Sequence, residues 1–313
     1  LNIIKCSKKQ SRKKGDRPFK KVFFIKMVKF FADSSCDLHH TILEEYDISI
    51  IYMPYFIDGE VGHYDHGKDP QTIKDFFQKM RDGQVSKTQA LNPTDYIEYW
   101  EPILKEGHDV LYVSFSQITS ATFDMMRKAI AELKEKYPER TISHVDTKGL
   151  SGVAGYTVLE AAKLFKAGAS VQEVIDFVVE FRERVKCYIA VADIVYAKRG
   201  GRVSIVKAWL GTILNLKPIL TIKEGRVVTC DKVKGRKNAL LKTLELAEKD
   251  GIDFSFPVLV AHCCASKEEV ELMKKLVMEK FPQAEIREEI IGPIIGTHTG
   301  PDTITFGYIQ TKR

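Results

Sequence analysis

The chain lacks the marks of several protein classes. Its six cysteines, Cys6, Cys36, Cys187, Cys230, Cys263 and Cys264, form no C-x-x-C pair and no regular framework. A disulfide scaffold or thiolate zinc site is therefore disfavoured, and a cytoplasmic, reducing setting is expected. Cys263 and Cys264 close an apolar run, LVAHCC, and read as buried thiols. No stretch reaches the ~18 consecutive apolar residues of a membrane span, since even AWLGTILNL is soon broken by Lys and Pro. The glycine-rich dinucleotide fingerprint and the phosphate loop G-x-x-x-x-G-K-[ST] are missing, which removes the commonest routes to nucleotide binding. A G-x-S-x-G elbow is missing too, so a hydrolase nucleophile has no candidate. No internal repeat or low-complexity segment is present.

What remains is a 313-residue chain, 44% hydrophobic, long enough for one large or two medium α/β units with proper cores. Its net charge of +6 is unevenly placed. Residues 1–26 hold ten Lys/Arg and one Asp, hence +9, which leaves the rest at −3. Met27 then opens MVKFFADSS, with the form of a cytosolic start followed at once by a buried strand. Residues 1–26 are read as a basic extension outside the fold, disordered or non-native. A basic arm for RNA or acidic lipid is the alternative; with the body mildly acidic, no nucleic-acid partner is expected and any membrane contact is a transient surface one.

From Met27 strand and helix signals alternate. VKFFADSS, ISIIYMPYFID, DVLYVSFS and TISHVDT read as strands, separated by amphipathic DPQTIKDFFQKMRDG, PTDYIEYWEPILKEG and SATFDMMRKAIAELKEKYPER. This rhythm predicts a mostly parallel sheet with helices on its faces. Two consecutive helices, GVAGYTVLEAAKLFKAG and SVQEVIDFVVEFRERV, follow as a bridge. Beyond them come a hairpin turning at Glu224-Gly225, a helix, the strand FPVLVAHCC, another helix and two last strands, a second and mixed-sheet α/β unit. The expected division is 27–187 and 188–313.

Open α/β sheets bind ligands beyond the carboxyl ends of their strands. Asp33-Ser34-Ser35, Lys87-Thr88-Gln89 and Ser114 to Gln117 stand at such ends and are expected to face one crevice, with Ser120 capping the next helix. His63-Tyr64-Asp65-His66 has the residue types of a metal site without helical spacing, and is read as a surface loop. AKRGGRVS sets Arg199 and Arg202 around paired glycines, suited to a carboxylate or phosphate or to a protein interface. GPIIGTHTGP holds His298 between threonines, fenced by Gly296 and Gly300, and reads as a rigid turn. From the residues alone His298 could be structural, an anion ligand or a base.

The ordered series DSSCDL, KTQA, SFSQITSATF, DTKGLSGVAGYTVLEAAKLFKAG, AKRGGRVS, LGTILNLKPILTIKEGRV, KVKGRKNAL and GPIIGTHTGPDTITFGYI resembles the DegV family across residues 28–309. That resemblance implies a two-lobed fold and a bacterial fatty-acid-binding protein without a cofactor. It implies as partners a long-chain fatty acid and the ATP-binding subunit of a fatty acid kinase, to which the acyl carboxylate is presented. It places Thr88, Ser116, Gln117, Thr297 and His298 around the carboxylate, and Arg202 and Ser34 at the head group or the partner interface. Gln117, Ala121, Gln89 and Ala90 depart from the family's motifs, with the Gln117 backbone N–H standing in for a serine. The tunnel wall is expected from GVAGYTVLEAAKLF, AWLGTILNL and the hairpin around Ile222. The rival reading is an enzyme, a phosphotransferase or hydrolase using His298 and Arg202.

Overall fold

The computed structural model describes residues 27–62, 64–200 and 216–312. In chain order its elements are β1 (Val28–Asp33), α1 (His40–Glu45), β2 (Ile48–Ile51), β3 (Tyr55–Ile57), β4 (Glu60–Gly62), α2 (Pro70–Arg81), β5 (Ser86–Thr88), α3 (Pro93–Lys105), β6 (Asp109–Ser114), α4 (Thr122–Lys136), β7 (Ile142–Asp146), α5 (Gly152–Lys166) and α6 (Val171–Phe181). Then follow β8 (Val185–Ala190), α7 (Val195–Arg199), β9 (Leu216–Lys223), β10 (Arg226–Lys234), α8 (Arg236–Asp250), β11 (Val258–His262), α9 (Lys267–Lys280), β12 (Ile286–Ile290), α10 (Pro293–Thr299) and β13 (Ile304–Ile309).

A four-stranded parallel sheet, β2-β1-β6-β7, carries the first half. Every residue of β6 is buried, the near-continuous apolar character a parallel strand needs when helices cover both faces. The helices start where local chemistry satisfies their free N–H groups. Asp69 accepts from Gln71 N ahead of Pro70, and Asn92 with Asp95 and Ser170 with Glu173 form capping boxes.

ISIIYMPYFID is two strands, not the single one its apolar run suggested. Pro54 has no N–H to give a ladder, so β2 ends before it and β3 enters a separate antiparallel sheet, β4-β3-β5. This small sheet delivers Thr88 at the end of β5, opposite Tyr55.

The second sheet is mixed, in the order β10-β9-β8-β13-β11-β12, with β11 and β12 parallel and the other pairs antiparallel. The architecture is thus mixed α/β, one parallel and one mixed sheet. Their cores are shared: one cluster joins Phe31, Phe77 and Tyr112 of the first half to Leu259, Ala261 and Ile294 of the second. No helix among the described residues is long and apolar enough to cross a membrane.

The segment GPIIGTHTGP is a short helix rather than a turn. Pro293 supplies the preset φ of a first helical residue, and Gly300, at φ +81°, ends α10 where an L side chain would be strained. Of the His63–His66 stretch, expected as a surface loop, His63 lies outside the described residues and the rest is largely buried. Tyr64 and His66 are buried, and His66 Nδ1 donates to Leu38 O at 2.8 Å. Burial lowers the His66 pKa to about 4, outweighing the Leu38 hydrogen bond and the Asp65 charge, and keeps the ring neutral. No metal-binding group of three or more ligands exists among the described residues. Of the cysteine pair, Cys263 is fully buried and Cys264 only partly so.

Candidate functional site

A cavity of about 810 Å³ lies where the loops after β5 and β6 meet the inner face of the mixed sheet. Its wall is largely aliphatic: Ile189 and Val191 from β8, Leu220 and Ile222 from β9, Leu259 and Ala261 from β11. Gly152 and Val153, at the start of α5, close one side, and Ile291, Ile294 and Ile295 another. Most of α5 instead packs in the ordinary core. The AWLGTILNL stretch lies outside the described residues except for Leu216.

Two of the expected head-group residues meet on this wall. Thr88 Oγ1 and His298 Nε2 are hydrogen-bonded at 3.0 Å, although 210 positions separate them. His298 owes its place to α10 and to Gly200, where a Cβ would lie 2.2 Å from the imidazole Nδ1. Gln89, Thr119 and Ser120 extend this polar part of the wall. Ser120 also accepts weakly from Thr122 N at 3.3 Å, but Ala121 occupies the capping position of α4.

The other expected residues are placed differently. Ser116 is fully buried, and its hydroxyl donates to the carbonyl of Gly225 at 2.8 Å, clasping the turn of the β9-β10 hairpin. Gln117 is exposed, and its backbone N–H is bonded to the Asp146 carboxylate rather than held open for a ligand. Thr297 is buried away from the cavity. Ser34 is fully buried, and its hydroxyl accepts from Met53 N at 2.9 Å, so it is framework rather than interface. Arg202 lies outside the described residues.

Asp33 does not face the crevice, as its strand-end position had suggested. Its buried carboxylate accepts from Ser35 N and Oγ, from Tyr112 OH at 3.0 Å and from Phe115 N at 3.0 Å. Burial raises its pKa while these donors oppose the rise. The effect is to fix the loop after β6, from which Phe115 and residues 118–121 reach the cavity. Two further acids are buried: Asp37 accepts from Ser151 Oγ at 2.5 Å and from the backbone N–H of Gly292 in the second half, and Glu289 lies 2.8 Å from Arg287. Burial pushes Asp37 up to about 8 and Glu289 up to about 7, against the Ser151 hydrogen bond in one case and the Arg287 charge in the other. Among the cavity's described wall residues there is no carboxylate, and Arg226 is the one permanently charged side chain.

A family model described as an uncharacterised protein of the DegV family matches residues 27–311. The chain belongs to the DegV family. A DegV domain-containing protein of Clostridium perfringens is 31% identical over 288 residues, covering 91% of this chain and 98% of its own. A DegV protein of Thermus thermophilus, described by its fatty acid binding, superposes with a TM-score of 0.77 at 26% identity, covering 91% of this chain and all of its own. The fatty acid kinase B3 protein of Streptococcus pneumoniae, loaded with linoleic acid, has a TM-score of 0.75 at 18% identity, covering 91% and 100%, and bears on the fold alone. Both solved structures are described with a fatty acid: the one by its binding, the other as loaded with linoleic acid. Sequence reasoning missed Arg226, for which only its position beside the predicted hairpin turn offered a signal, and misplaced Asp33, whose partners Tyr112 and Phe115 are distant in sequence.

Proposed function

We propose that this DegV protein holds a long-chain fatty acid in its cavity and presents the carboxylate to a separate kinase subunit, which supplies ATP. The carrying observation is the cavity itself: about 810 Å³ of largely aliphatic wall with the Thr88–His298 pair on it. Hydroxyl and imidazole groups orient a carboxylate but add little net affinity, ~1 kcal/mol per hydrogen bond. The tail supplies the rest, since each buried methylene contributes ~0.8 kcal/mol and a long chain on the order of 10 kcal/mol before ordering costs. The fatty acid binding of the Thermus relative supports the binding part of this reading, while the kinase-system relative shares the fold.

The test is mass spectrometry of the purified protein under native conditions, before and after incubation with oleate or palmitate. A co-purified or newly bound fatty acid at one per chain is expected. Absence of both would sink the proposal. Turnover of an acyl or phosphorylated substrate by the isolated chain, lost in His298→Ala, would replace it with the enzyme reading.

A further inference from the structure

Resting on that fatty-acid reading, we infer that Arg226 is the selectivity residue for an anionic head group, delivered to the cavity by the hairpin of the second sheet. Arg226 is the one permanently charged side chain on the cavity's described wall. Arg226 is exposed, and no ion pair with it occurs among the described residues. The nearest acid in sequence, Glu224, is already engaged, 3.1 Å from Lys148 Nζ, which also reaches Glu183 at 2.8 Å. A guanidinium left unpaired beside an apolar cavity is matched to a carboxylate, which its planar fork can receive through two donors.

The position of Arg226 is built rather than incidental. It directly follows Gly225, whose φ of +76° makes the tight turn and whose carbonyl is clasped by Ser116. A Cβ at Gly225 would sit 2.4 Å from Ser116 Oγ and 3.0 Å from Ile118 Cγ2, so the hairpin tip presses against the loop after β6. That loop supplies Thr119 and Ser120 to the wall. Two contacts, Ser116 with Gly225 and Lys148 with Glu224, thus carry a cation of the second lobe to polar groups of the first. Ser116 is on this account a positioning residue, acting on the ligand through the hairpin.

The experiment compares oleic acid with oleyl alcohol, equal in chain and different in charge, on delipidated full-length protein by displacement of cis-parinaric acid. The wild-type chain is expected to prefer the acid, by a margin that narrows as salt is raised. Arg226→Gln is expected to cut the acid-to-alcohol affinity ratio about fivefold, the scale of one partly exposed ion pair. Arg226→Lys should restore much of it, while Lys223→Gln, opposite on β9 and off the cavity wall, should leave the ratio unchanged. A ratio unaltered by Arg226→Gln, or one lowered equally by Lys223→Gln, would overturn the inference. Failure of the wild-type protein to take up either probe would instead overturn the fatty-acid reading, and this inference with it.

Discussion

Gly200 and His298 are in such close approach that any side chain at position 200 would occupy the space of the imidazole: an added Cβ falls 2.2 Å from Nδ1 and 3.0 Å from Cε1. The end of α7 therefore sets the pose of the histidine on α10. Gly200→Ala should force one of the two helices to move, at a cost of about 1–3 kcal/mol, as for other overpacked sites. Denaturant unfolding measures this. Adding His298→Ala should relieve the clash, so that the double variant is more stable than Gly200→Ala alone. Equal destabilisation with and without the imidazole would show that Gly200 matters for some other reason.

The head-group assignments divide by assay. Replacing Thr88 and Ser116 together by Ala removes a direct hydroxyl and the hairpin clasp, and should weaken lipid retention about tenfold, near 1.4 kcal/mol. Arg202→Ala should leave retention nearly intact and impair phosphorylation by the kinase subunit. The reverse pattern would exchange the two roles.

The wall also sets ligand size. Ala261, on β11, is buried against the cavity with no bulk beyond its methyl group. Ala261→Leu should shorten the available volume and move the extracted fatty acids toward fewer carbons, since each methylene left unburied forfeits ~0.8 kcal/mol. Lipid profiling of the variant beside wild type checks this; an unchanged profile would place Ala261 away from the acyl tail.

Stability should depend on pH through the buried acids. An Asp unfolds to a pKa near ~4, whereas folded Asp37 sits at about 8. Between these values the folded state keeps a proton that the unfolded chain releases, so this contribution is present at low pH and is lost as pH rises through 8. Glu289, raised to about 7, acts in the same sense. His66 and His144, lowered to about 4 from 6.5, act oppositely, gaining stability as pH rises to 6.5. Asp37→Asn should remove its share, so that wild type loses on the order of 1–2 kcal/mol more than the variant between pH 6.5 and 8. Parallel curves from chemical unfolding at each pH would refute the assignment.

The strands, helices and hairpin were readable because their signals are local: apolar alternation, caps, and the Glu224-Gly225 turn. The break at Pro54 was readable in principle, since proline cannot serve a central ladder. Local pattern could not show that Asp33 bonds to Phe115, 82 positions away, rather than turning outward. Nor could it separate Ser116 from Thr88, both hydroxyls at strand ends, because a carbonyl of the β9-β10 hairpin, Gly225, takes the one and His298 meets the other. His298 was singled out for its glycine-fenced setting; what the sequence concealed was that the fence is a helix and that its partner glycine lies at position 200.

That helix has a consequence for how the segment can change over time. With α10 only Pro293–Thr299 long, successive residues point about 100° apart, and the cavity receives His298 while its neighbour Thr297 is buried elsewhere. Insertion or deletion of one residue between Pro293 and His298 would rotate the imidazole out and leave its place to another side chain. Spacing in this stretch is therefore under tighter constraint than the chemical character of most of its residues.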